Sequence, residues 1–348
     1  MSVWLVLWSL LAMVEDGKAV LELQPVPETE DFFLTSPRDL VLDERGWIHI
    51  LDQGARRILV WDAQGRFQKA IGQSGQGPGE FEFFDHQHLH KPQLSNVDGQ
   101  WYVYDDGNRS LSVFRKDWSF DNRSGMDLEK GSPMWALMIG ADHALVRGGV
   151  FNEEVRDAFL AVFDRKGKLL ETLFRIPNPN FIRRDGGNVI VAFSPDLVGH
   201  YDDLNQQIIA GFNAESRFSV FDLDGKQVAQ IQVDFPPRSV TAEEKKTFAT
   251  RNADSYGDMN VDYPEEHPHY AGILPIGRSG FLVYRQDYIS GTIEGVVTNR
   301  EGARLKPVRL NLGEGGALHG TRGRIFAVQI DEEGEYRIYE TQLADDLL

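Results

Sequence analysis

The 348-residue chain contains no cysteine. That removes disulfides, thiolate metal sites and thiol nucleophiles together. Basic residues are also scarce, with 36 Lys and Arg against 53 Asp and Glu for a formal charge of -17. A surface of that sign repels phosphate backbones, and no concentrated basic patch offsets it, so nucleic acid is excluded as a partner. The catalytic signatures that can be read locally are missing as well: there is no Gly-x-Ser-x-Gly elbow, no His-Glu-x-x-His and no Gly-Lys-Ser/Thr phosphate loop. Long apolar runs are absent too. The longest covers residues 1–14, short of the roughly 20 that span a bilayer. It resembles the apolar core of a signal peptide, and Gly17 and Ala19 supply small-x-small spacing before Val20. No Lys or Arg precedes the run, a departure from the usual signal pattern. The expectation is a segment 1–19 that is removed, leaving residues 20–348 as one periplasmic or secreted domain, monomeric and without a membrane span.

What the chain has in quantity is glycine (34), proline (15) and 41% apolar residues, a composition with enough hydrophobic material for a large core and many turns. One short pattern recurs six times. It reads Ile58-Leu59-Val60-Trp61-Asp62, Leu111-Ser112-Val113-Phe114-Arg115, Leu160-Ala161-Val162-Phe163-Asp164, Phe218-Ser219-Val220-Phe221-Asp222, Glu294-Gly295-Val296-Val297-Thr298 and Tyr336-Arg337-Ile338-Tyr339-Glu340. Period-two alternation with branched and aromatic residues marks strands. The last residues of the copies are 53, 49, 58, 76 and 42 apart, close to the interval of about 50 found in propeller blades. Four copies run into Asp/Asn-x-x-Gly turns ending at Gly65, Gly167, Gly225 and Gly302. A second strand precedes each copy, so each unit is read as a four-stranded sheet, and such sheets bury both faces only when packed radially. The last unit is one strand short, and residues 19–26 alternate like a strand ahead of the first full unit. They are expected to serve as its outer strand and close the ring.

The stretch from Ser36-Pro37-Arg38-Asp39-Leu40 through Gly46-Trp47-Ile48-His49-Ile50-Leu51-Asp52 to Trp61-Asp62 resembles an NHL repeat. The connector Gly72-Gln73-Ser74-Gly75-Gln76-Gly77-Pro78-Gly79-Glu80-Phe81 that follows is similar to those of bacterial NHL-type propellers of unassigned function. The resemblance implies an all-β, six-bladed β-propeller of the NHL/TolB-like kind, and no activity. The glycines of the connector are read as turns, since Pro78 and a strand follow where a nucleotide site needs a helix.

Two histidine clusters stand out. His86, His88 and His90 alternate and so share one face of a strand; His267, His269 and Tyr270 follow two glutamates. Both clusters sit near the start of inner strands, of blades two and five, which face each other across a ring of six. Arg38, Arg183 and Arg184, with Asp185, take comparable positions in blades one and four. The expected ligand-binding set is therefore Arg38, His86, His88, Arg183, Arg184, His269 and Tyr270. His86, His88, His267 and His269 are the weak candidates for a divalent metal, because imidazoles from several blades are needed to complete a coordination shell; no other cofactor is expected. Residues 236–270 interrupt the repeat. Thr241-Ala242-Glu243-Glu244 opens a helix there as a capping box. Asp52 and Asp105 are expected to hold turns. The function expected is a binding or scaffold module for a protein, peptide or glycan. The alternative is a metal-assisted lyase or hydrolase at the channel mouth.

Overall fold

The computed structural model describes residues 19–22, 34–84, 90–129, 131–151, 156–178, 180–184, 187–233, 235–236, 238–253 and 260–341. Among them are six four-stranded antiparallel sheets and one three-stranded sheet. The six recurring segments are the third strand of each larger sheet: Arg57–Trp61, Ser110–Phe114, Arg156–Asp164, Arg217–Phe221, Thr292–Asn299 and Tyr336–Thr341. The innermost strands are Pro37–Leu42, Gln93–Val97, Ser132–Met138, Leu197–Asp202, Gly272–Ile276 and Ala317–Thr321.

Six apolar clusters, each drawn from two adjacent blades, show why the sheets form a wheel. Leu40, Ile50, Leu59 and Trp61 of blade one pack on Phe326, Val328 and Ile338 of blade six. From the same strands, Leu51, Ile58 and Val60 point the other way, onto Leu94, Trp101 and Val103 of blade two. The remaining four clusters join blades two to three, three to four, four to five and five to six. Because successive residues of a strand face opposite sides, apolar residues at both parities are what a blade with two covered faces requires.

The last blade is closed by the chain's beginning. Ala19–Glu22 pairs antiparallel with Tyr336–Thr341, with Ala19 opposite Thr341 and Glu22 opposite Tyr339. It is the outermost strand of that sheet, as expected; residues 23–26 of the expected strand lie outside the described residues. The signal-like segment ahead of Ala19 lies outside the described residues. No helix among the described residues is long and apolar enough to cross a membrane.

Turn chemistry repeats with the blades. At the outer reversal the Asp62 carboxylate accepts from the backbone N–H of Gln64 and Arg66, both at 3.0 Å. Asp164, Asp222 and Asn299 do the same in blades three, four and five. The glycine at the fourth position has φ between +74° and +89° in all four, a region that only glycine enters without strain. In blades one to five the register between third and fourth strands slips just before this turn. Such a bulge adds twist.

Asp52 and Asp105 are buried and hold the connectors between blades. Asp52 accepts from the N–H groups of Thr35 and Ser36 and from the Thr35 hydroxyl, at 2.7, 2.8 and 2.8 Å. Asp105 accepts from Glu82 N–H and Asn108 N–H, each at 3.0 Å. The glycine-rich connector is a turn fixed by Glu80, whose carboxylate accepts from Gly77 N–H at 2.7 Å.

The interruption after blade four contains the expected helix, Ala242–Arg251, with a reciprocal Thr241–Glu244 capping box. A second interruption was not anticipated. Between blades three and four, Phe181–Arg184 and Gly187–Val191 form a hairpin, and Asn260–Asp262 from the other insertion pairs parallel to it. The two insertions are joined by rings as well: Phe193 contacts Phe248, Tyr263 and Tyr288, with centroids 5.1 to 6.2 Å apart.

Candidate functional site

The inner strands surround a central cavity of about 390 Å³ lined by residues from all six blades. Adjacent strands are stitched by side chains. Asp39 of blade one accepts from Leu94 N–H of blade two at 2.8 Å, Ser95 of blade two accepts from Met138 N–H at 3.0 Å, and Thr321 of blade six accepts from Leu42 N–H at 3.2 Å. At the end formed by the inner reversals, the Asp203 carboxylate of blade four reaches past blade five to Arg322 N–H of blade six, at 3.1 Å. Gly277 N–H donates to Gly323 O at 2.9 Å nearby. These bonds tie the blades across that end. Connectors and both insertions occupy the opposite end.

Of the residues expected in a site, Arg38 lines this cavity, and its Nε donates to Gln53 Oε1 at 2.5 Å. His86 and His88 lie outside the described residues, as does Asp185. Arg183 and Arg184 end the first strand of the unanticipated hairpin rather than opening an inner strand. His267 is a strut, not a channel residue: its Nε2 lies 3.0 Å from Glu244 Oε1, beneath the helix, and it packs on Phe193. Glu244 also pairs with Arg238, which bonds Asp287 at 2.8 Å. His269 is half-buried, its backbone N–H donating to Asn213 O at 2.9 Å. Tyr270 is core. Its ring is 1% exposed within the blade four–five cluster, and its hydroxyl donates to Arg217 O at 3.0 Å. The cross-channel pairing of the two histidine clusters is thus replaced, on its blade-five side, by a set of contacts that secure the insertion.

The cavity holds a different set of ionisable groups, from blades one, two, four and six: Asp39, Lys91, Asp196, His200, Asp203 and His319. Asp39 is walled in by inner strands, and burial pushes its carboxyl up to about 6 despite the N–H groups of Leu94 and Leu40 that favour the anion. Burial pulls His200 and His319 down to about 4, and for His319 the neighbouring His200 and Lys91 act in the same direction. Both imidazoles are therefore neutral at pH 7. Lys91 is also lowered by desolvation, partly offset by Asp196. Behind the wall Arg147 is 3% exposed; it donates to Asp196 Oδ1 at 2.5 Å and to Gly148 O at 2.8 Å. Three aromatic residues complete the lining, Trp135, Tyr201 and Tyr284. Tyr284 belongs to the second strand of blade five, yet reaches the cavity because Gly272 stands in front of it: a Cβ there would come within 2.4 Å of the Tyr284 hydroxyl.

These shifts make stability depend on pH in opposite senses. A folded-state carboxyl pKa raised above its unfolded value means that the native state holds the extra proton, so stability falls as pH rises from about 4 to 6. The depressed histidines act the other way, and stability falls as pH drops from 6.5 toward 4. In Asp39→Asn the falling contribution is removed. Melting curves at pH 4, 5, 6 and 7 are expected to show the variant gaining on the wild type between pH 4 and 6, then running parallel. A constant difference across that window contradicts the shift.

Among the described residues, one group of three possible metal ligands converges, Asp331, Glu333 and Glu335. It is a blade-six turn in which Asp331 accepts from Glu333 N–H at 3.0 Å and Glu335 N–H at 2.9 Å. The fold explains it, and it is not part of the channel.

Blades, closure and channel together define the molecule as a six-bladed β-propeller. Residues 26–111 match the family DUF5128, described as a 6-bladed beta-propeller; this covers blade one and part of blade two, where the repeat is most regular. No curated protein matches the sequence. Among solved structures, a member of the DUF4221 family from Bacteroides vulgatus aligns with TM-score 0.59 at 12% identity, covering 94% of this chain and 98% of the other. A Bacteroides fragilis protein named only as a candidate exported protein aligns with TM-score 0.56 at 13% identity, covering 95% and 96%. At those identities the likeness is one of fold, in keeping with a propeller family of unassigned function.

Proposed function

We propose that this protein is an exported binding module that takes the end of a glycan into its central channel from the insertion-bearing face. The observation that carries this is the lining of the cavity. Trp135, Tyr201 and Tyr284 offer flat apolar surfaces, while Asp39, Lys91, His200 and His319 offer hydrogen-bonding groups between them. Sugars present the same mixture, apolar ring faces edged with hydroxyls, and a concave site with a few placed polar groups suits a ligand of that size. The signal-like residues 1–19 support export, as does the likeness to the Bacteroides fragilis protein.

Calorimetric titration across a panel of oligosaccharides, with a peptide library as the competing class, tests the reading. Trp135→Ala should weaken the best glycan at least tenfold, about the 1.4 kcal/mol that a lost stacking contact accounts for. Binding confined to peptides, or unaffected by Trp135→Ala, overturns it. A second reading, catalysis on the bound glycan, is favoured by one observation. Asp39, with its carboxyl near 6, and two neutral imidazoles line one cavity, as general acid–base chemistry requires. Prolonged incubation with the bound glycan, followed by product analysis, separates the two.

A further inference from the structure

We infer that Asp196 is the specificity-determining residue of the channel, its Oδ2 accepting hydrogen bonds from neutral hydroxyls at the end of the glycan. The inference rests on the glycan reading above and names the contact that selects the ligand.

Asp196 immediately precedes the inner strand Leu197–Asp202 of blade four and lines the cavity. Its main chain is held on both sides by Asn213, which is buried just after the second strand of the same blade. Asp196 N–H donates to Asn213 Oδ1 at 2.6 Å, and Asn213 N–H donates to Asp196 O at 3.1 Å. Asn213 is fixed in turn: its side-chain amide donates to Tyr270 O, and its carbonyl accepts from His269 N–H, each at 2.9 Å. The segments that leave both insertions therefore meet at this one residue.

The carboxylate is held as firmly as the main chain. Oδ1 accepts from Arg147 at 2.5 Å and from Leu197 N–H at 2.7 Å. Arg147 comes from the second strand of blade three and is itself buried, so the acid is clamped at the seam of two blades. Both bonds fall on one oxygen. Oδ2 has no partner among the described residues, and the side chain is 44% exposed.

Neutralising a buried guanidinium accounts for Oδ1. What sets this acid apart from a surface carboxylate is the rigidity imposed on Oδ2. With the main chain and the first oxygen tied to buried groups, the second oxygen keeps one position, and a hydrogen bond to it orders little that was free. Support of that kind behind an open polar atom is how a recognition site is built. An aromatic ring stands on the same seam. A Cβ added to Gly199, on the inner strand of blade four, would lie 3.4 Å from Cη2 of Trp135. A fixed acceptor and an indole on one wall suit the hydroxyl edge and the apolar face of one sugar ring.

Charge decides which donor is taken. Arg147 already balances Asp196, and Lys91 adds positive potential within its electrostatic reach. An ammonium on the ligand would meet that potential, whereas a hydroxyl donates without bringing charge.

The experiment titrates the full chain with its tightest oligosaccharide, with each monodeoxy analogue of the recognised end, and with the matching amino sugars. In the wild type at least one deoxy analogue should bind at least tenfold more weakly than the parent. In Asp196→Asn the side-chain oxygen can still accept from Arg147 and Leu197 N–H, but an NH₂ group replaces the open acceptor. That variant should bind the parent at least tenfold more weakly and should be indifferent, within twofold, to removal of the same hydroxyl. Such loss of coupling is a readout that a merely structural role would not produce. A deoxy penalty as large in Asp196→Asn as in the wild type overturns the inference and leaves the glycan site standing. An amino sugar that binds more tightly than the parent overturns it too. The wild-type series decides even if the variant fails to fold: analogues all within twofold of the parent overturn the inference. If no oligosaccharide binds, the glycan reading falls and this one with it.

Discussion

A chain that begins at residue 27 is expected to melt roughly 5 °C below one that begins at residue 19, the shift that about 3–4 kcal/mol produces in a domain of this size. Removing the first strand strips the hydrogen-bonding partner from Tyr336–Thr341. Ile338 and Tyr339, now 2% and 6% exposed, would flank an open sheet edge. Ile338 belongs to the cluster that joins blade six to blade one, so the seam of the wheel loosens with it. An unpaired edge of that kind also recruits other chains. Light scattering on a sizing column should therefore show dimers or larger species where the longer chain runs as a smaller one. Equal melting temperatures and equal masses for the two chains would refute closure by the first strand.

Asp52→Ala is expected to cost about 3–4 kcal/mol, read as a lower urea midpoint with an unchanged slope. The carboxylate is fully buried, and it gathers Thr35, Ser36 and Ala55 around one side chain. Alanine would leave buried N–H groups without acceptors, and such groups are expensive. Asn in its place keeps one oxygen and should lose about half as much. Glu335→Ala, at an exposed turn position, provides the control and should stay within about 0.5 kcal/mol. A loss below 1 kcal/mol in Asp52→Ala would mean that the connector holds itself.

The blades were legible because each third strand repeats the same alternation, in four of the six next to the same turn. That pattern is local, and every copy buries both of its faces. The inner strands are less regular, since one side of each serves the channel. Asp39, His200 and His319 stand in strands more than a hundred residues apart in sequence. Closely spaced histidines such as His267 and His269 attract notice in a linear reading, yet a propeller assembles its centre from short stretches of every blade. Arg38 was found because its strand opens the most regular repeat. Tyr284 reaches the channel only because Gly272 has no side chain, which demands knowing the register of two strands. The hairpin before blade four did leave a trace: Asp185-Gly186 between Phe181–Arg184 and Gly187–Val191 is a strong two-residue turn signal. Its parallel partner at Asn260–Asp262 left none, because nothing in either segment specifies a pairing some seventy positions away.

The seam between Ala19–Glu22 and Tyr336–Thr341 also dictates an order of events. During synthesis the leading strand waits, without its mate, until nearly the whole polypeptide has been made. Five blades can assemble as they emerge, but the circle stays open throughout. Whatever keeps Ala19–Glu22 from Tyr336–Thr341 therefore keeps the ring from locking.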